Sequence, residues 1–182
     1  MAEAARPYFP ALVVGDQPVA FAHLEPFKLQ MATQARPDGL MIDVRFTNHC
    51  FSETYGPAKH PAPVDVWDGG RRRVFCPTRY ALSAALPGII NGLPGATVFQ
   101  TPEANFVRID LRNDGLAGDY RVFFRIKRAG AAEDHQLKLV VESAYSPDEG
   151  QALAARSMSK VRFAVLVDKT LRGEKLKFHH KR

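Results

Sequence analysis

Cysteine is almost missing from this sequence: Cys50 and Cys76 are the only two in 182 residues. A disulfide framework is therefore excluded, and a thiol-reducing cytoplasm is the expected setting. The N-terminal stretch Met1-Ala-Glu-Ala-Ala-Arg-Pro7 lacks the apolar segment of a secretory signal. There is no Walker motif and no G-x-G-x-x-G, which sets aside the familiar phosphate-loop and dinucleotide enzymes. A G-x-S-x-G elbow and an H-E-x-x-H helix are also missing. Charge is absent from Tyr80 to Thr101, a length that would cross a bilayer. That stretch nevertheless contains Pro87, Asn91, Pro94 and Gln100 among its glycines, so a buried, kinked helix over about 78–93 followed by a strand is expected, and no membrane span.

The formal charge of +6 is unevenly placed. Residues 156–182 hold nine Lys/Arg against two acids, Asp168 and Glu174, while the rest of the chain is close to neutral. Such an excess attracts polyanions at long range, and it also describes a solvated tail. The length suits one hydrophobic core, so 1–182 is read as a single domain with a Pro-rich edge segment at 1–37 and a basic C-terminal strand pair at 156–182.

Between these ends the pattern is mostly that of strands. Leu40–His49 alternates, with Ile42, Val44 and Phe46 on one face and Asp43, Arg45, Thr47 and His49 on the other. Val64–Trp67 and Arg73–Cys76 flank Asp68-Gly69-Gly70, a hairpin signal. Thr97–Gln100, Asn105–Arg112 and Val161–Val167 read as further strands, Asn113-Asp-Gly115 as a turn, Ser146–Ser159 as a polar connection, and Lys175–Phe178 as able to pair back. The fold class is α+β: a bent, mostly antiparallel sheet of about six to nine strands with one main kinked helix.

The reactive residue types concentrate between Asn48 and Tyr80. Zinc fits poorly, because no Cys or His pair has ligand spacing, and no metal or other cofactor is expected. Alternation places Cys50 with Ile42, Val44 and Phe46, which makes it a core thiol rather than a nucleophile. Metal-free acid–base cleavage of RNA suits the patch better, since it needs a proton shuttle and cations for the phosphorane. His49, His60 and Arg73 are the candidate catalytic residues.

The clearest hairpin is Tyr120–Arg128 followed by His135–Tyr145. Tyr120, Val122, Phe124 and Ile126 share one face; Arg121, Phe123, Arg125 and Lys127 share the other, a basic and aromatic mixture suited to phosphates and exposed bases. The phrase Tyr120-Arg-Val-Phe-Phe-Arg-Ile126, with a second strand ending Ser143-Ala-Tyr145, resembles the sheet hairpin of the RelE-like members of the barnase/EndoU/colicin/RelE ribonuclease toxins. The resemblance covers residues 120–145 only, in a chain about twice the size of such a toxin. It implies a metal-independent ribonuclease, with Arg121 and Arg125 on basic positions of the strand and Tyr145 at a strand end beside the cleft. The nucleic-acid-binding candidates are then Arg121, Arg125, Lys127 and Tyr145. Two readings stand: a cytoplasmic RNA-engaging protein, as a toxin-type ribonuclease, or a non-catalytic β-rich module that docks on a protein partner or on its own copy.

Overall fold

A computed structural model describes residues 6–101, 106–111, 119–146 and 159–174, of which 107–111 and 119 are described by backbone alone. The strands are β1 (Leu12–Val14), β2 (Gln17–Val19), β3 (Phe27–Met31), β4 (Leu40–Phe46), β5 (Ser52–Thr54), β6 (Asp65–Asp68), β7 (Arg71–Phe75), β8 (Thr97–Gln100), β9 (Phe106–Leu111), β10 (Asp119–Arg128), β11 (Leu137–Tyr145) and β12 (Lys160–Arg162). The helices are α1 (Pro77–Ser83), α2 (Leu86–Asn91) and α3 (Phe163–Leu171). The fold is α+β. The single sheet expected from sequence is instead three: the β1–β2 hairpin, a seven-stranded sheet in the order β12-β8-β9-β10-β11-β4-β3, and a small sheet β5-β7-β6. Every neighbouring pair is antiparallel except β11 and β4, which run parallel.

Alternation builds the large sheet. Ile42, Val44, Phe46, Tyr120, Val122, Phe124, Leu137, Leu139 and Val141 are all buried on one face. Leu82, Leu86 and Ile90 of α1 and α2, with Phe163, Leu166 and Val167 of α3, join them in one cluster. One irregularity redirects the pattern. Between Phe123 and Phe124 the register on β11 jumps from Ser143 to Val141, so Glu142 is a bulge residue. Past it the inward residue is Ala144 rather than Ser143, and Tyr145 turns to the outer face.

The kinked helix is fully divided. Pro87 stands in the first turn of α2, where its missing N–H costs nothing, and α1 stops at Ser83. Two expectations need correction. The strand through Leu40–His49 ends at Phe46, because the Thr47 hydroxyl accepts from the His49 N–H and folds Asn48–Cys50 into a 3-10 turn. Val161–Val167 is a strand only to Arg162; Phe163, Leu166 and Val167 recur at helical spacing, and α3 replaces the first arm of the expected C-terminal strand pair. The expected pairing of Lys175–Phe178, the turn at 113–115 and most of the 146–159 connection lie outside the described residues.

Candidate nucleic-acid interface

The small sheet and the far end of β10–β11 meet at Ser52, the first residue of β5. It is fully buried, and its hydroxyl donates to the Asn48 carbonyl at 2.7 Å. Arg73 on β7 donates from Nε to Ser52 Oγ at 2.8 Å and from Nη2 to the Ser52 carbonyl at 2.9 Å. Arg79, in the first turn of α1, donates from Nη1 to that same carbonyl at 2.9 Å and to the His49 carbonyl at 3.2 Å. Two half-buried guanidinium groups thus converge on one neutral oxygen, and neither forms an ion pair among the described residues. Partial burial and then the nearby Arg79 charge lower the Arg73 pKa, against the pull of Asp68 and Glu53.

His49 stands beside this pair. Its Nε2 lies 2.9 Å from Asp68 Oδ2, a hydrogen bond that orients the ring and leaves Nδ1 for a proton. Asp68 is placed by the β6–β7 turn, where Asp68 faces Arg71 across Gly69-Gly70 and Gly69 takes φ +58°. On the other side the Arg79 guanidinium lies 5.0 Å from the centre of the Tyr145 ring, which stacks on Phe123 at 5.4 Å. Arg121 faces Tyr145 across the strands and is only 6% exposed.

His49, Arg73, Tyr145 and Arg121 therefore lie around the Ser52 cluster. The remaining candidates are placed elsewhere. His60 Nε2 lies 3.1 Å from Glu53 Oε1, its ring stacks on Tyr55, and Lys59 takes the other Glu53 oxygen at 2.6 Å. Burial raises the Glu53 pKa, but the Lys59 and His60 hydrogen bonds outweigh it and the net shift is downward. Ser52 and Glu53 are neighbours on one strand and so point to opposite faces, which separates His60 from His49. Arg125 pairs with Glu142 at 3.0 Å, and Lys127 lies further along β10 near its turn. The Cys50 thiol is pushed up to about 12 by burial, as suits an inert core residue.

Arg79 and Asp68 join the cluster without being among the sequence candidates. For Arg79 a signal existed: it lies two residues beyond Pro77 in a helix's first turn, where the positive end of the helix disfavours a cation. Among the described residues, no group of three or more His, Cys, Asp or Glu is arranged to hold a metal ion, and no helix is long and apolar enough to cross a membrane.

The model of the YjaZ family matches residues 11–171, from just before β1 to the last residue of α3. The chain belongs to the YjaZ family. No curated protein and no solved structure matches it. Family membership brings no activity with it, so the function rests on the chemistry of the Ser52 cluster.

Proposed function

We propose that the protein engages single-stranded RNA at Arg73, Arg79 and the Phe123–Tyr145 stack, and cleaves it without a metal through His49. The observation that carries this reading is the convergence of Arg73 and Arg79 on the Ser52 carbonyl, with no carboxylate among the described residues bonded to either. Such a guanidinium pair has donors not committed to a carboxylate among the described residues, and a phosphate with its several acceptor oxygens fits them. The aromatic pair beside Arg79 adds a surface against which a base can lie. The likeness of the 120–145 hairpin to RelE-like toxins points the same way.

In the proposed reaction His49 Nδ1 takes the proton of a 2′-hydroxyl while Asp68 holds Nε2. The 2′ oxygen bonds to phosphorus and the bond to the 5′ oxygen breaks, leaving a 2′,3′-cyclic phosphate. With one histidine in the cluster, the leaving oxygen takes its proton from water, and the resulting hydroxide is neutralised by His49. Arg73 and Arg79 offset the charge that grows on the phosphorane oxygens.

Incubation of labelled single-stranded RNA with the protein in EDTA tests this directly. Cyclic-phosphate products are expected from the wild type, with a rate reduced at least about a hundredfold in His49→Ala and little altered in His60→Ala. Binding without cleavage would withdraw the catalytic half and keep the interface. Absence of both would favour the protein-docking reading.

A further inference from the structure

At the opposite end of the hairpin, about 23 Å along β10 from Arg121, three segments enclose a cleft of ≈ 440 Å³. Its walls include Arg36, Arg128, Arg172, Glu133, His135 and Asp168. The volume falls within the range of small-molecule sites. We infer that this cleft binds a small anion bearing a carboxylate or phosphate group, separately from any RNA surface.

The arginines are held in different ways. Arg36 stands in the β3–β4 connection, whose main chain is pinned by Thr33 N–H to Arg36 O at 3.1 Å and by Arg36 N–H to Thr33 O at 3.2 Å. The Thr33 hydroxyl donates to Asp168 of α3, which ties this connection to the helix. Arg128 ends β10, and its Nη1 would lie 3.8 Å from a Cβ placed on Gly173, so the guanidinium passes over the glycine that follows α3. Arg172 is already bonded to Glu174. Arg36 and Arg128 form no ion pair among the described residues, so both remain available to a ligand.

The floor is fixed. His135 is 6% exposed; its Nδ1 lies 2.8 Å from Asp134 Oδ1 and 2.9 Å from Lys28 Nζ. Its Nε2 is 2.9 Å from Glu133 Oε2, but off the line of a hydrogen bond. Glu133 also accepts from the Gly130 N–H at 3.0 Å, so the hairpin tip closes on itself rather than collapsing into the cleft. The cleft is thus lined by two guanidinium groups without an ion pair among the described residues, and by the Asp168 and Glu133 carboxylates. Such a site selects an anion that also presents a hydroxyl or ammonium donor. A guanidinium fork matches the two oxygens of a carboxylate or phosphate better than a single point charge would.

The test titrates the full-length protein, in phosphate-free buffer, with inorganic phosphate and separately with malate, following the Gly130 and Ala131 amide signals by NMR. Saturable shifts below about 20 mM of either probe are expected. Affinity should fall at least tenfold in Arg36→Ala/Arg128→Ala and stay within twofold in Arg73→Ala/Arg79→Ala, so that the outcome is independent of the RNA reading. Preference between the probes assigns the phosphate or carboxylate class. No saturable shift, or shifts unchanged in Arg36→Ala/Arg128→Ala, would overturn the inference. So would loss of RNA binding, but of neither small anion, in that variant.

Discussion

The outer face of the large sheet and the Ser52 cluster at its end use cations in opposite ways. On the sheet, Lys28 and Arg45 share Asp43 at 3.2 and 2.8 Å, Arg125 has Glu142 at 3.0 Å, and Lys138 has Glu133 at 2.7 Å. At Ser52, the hydrogen bonds of Arg73 and Arg79 among the described residues go to two carbonyls and a hydroxyl, and to no carboxylate. Both regions look basic in sequence. At Ser52 neither guanidinium has an ion pair among the described residues, and pairing rather than composition therefore separates a solvated face from a binding face.

The comparison is broken most directly by removing the guanidinium groups at Ser52. Arg73→Ala/Arg79→Ala should weaken single-stranded RNA binding by about 10–100-fold at low salt and flatten its salt dependence. Urea unfolding of the same variant should move by less than about 1 kcal/mol, because mutual repulsion between the two cations is relieved as their hydrogen bonds are lost. A large loss of stability with unchanged RNA binding would make the pair structural.

The reverse experiment creates uncompensated charge on the sheet. Asp43 is buried, and Asp43→Asn leaves Lys28 and Arg45 without their shared carboxylate. A cost of about 1–3 kcal/mol in urea is expected. Acid should do the same to the wild type. Burial raises the Asp43 pKa, but the hydrogen bonds of Arg45 and Lys28 carry it below its ordinary value. Asp134 is held at about 2 by His135 and Lys28 hydrogen bonds. Carboxyls with lowered native pKa stabilise in full above their unfolded value near 4 and lose that contribution as pH falls through the native one. Melting temperature should therefore drop between about pH 4 and pH 2, and drop less steeply in Asp43→Asn. The smallest effect belongs to the exposed pair: Arg125→Ala should change stability by under about 0.5 kcal/mol and RNA affinity by less than twofold, measured by urea melts and fluorescence titration.

How far the sequence discloses this arrangement depends on the range of the interactions involved. Local signals are readable: the alternation of Tyr120, Val122 and Phe124, the Asp68-Gly-Gly turn, and the break at Pro87 all appear where the pattern puts them. The apolar run Val161–Val167 is ambiguous between periods, and contacts settle it: Phe163 docks edge-on against Phe124 with ring centres 6.0 Å apart, and a helix results. The Glu142 bulge has no local signature, yet without it Tyr145 would face the core and Arg79 would lose its aromatic neighbour. Candidate residues were visible as types; which of them meet was decided by Ser52 and Glu53 facing opposite ways on a three-residue strand.

The parallel pairing of β4 with β11 has a consequence for how the chain is made. Ile42 lies opposite Leu137, so β4, next to the edge of the large sheet, leaves the ribosome long before its neighbour β11 does. During that interval β3 can cover one edge of β4, while the other edge, flanked by Ile42, Val44 and Phe46, has no native partner. A nascent chain halted before β10 presents an open template to other strands, and completion of the hairpin closes it. The last third of the chain thus shields its first third from aggregation during synthesis.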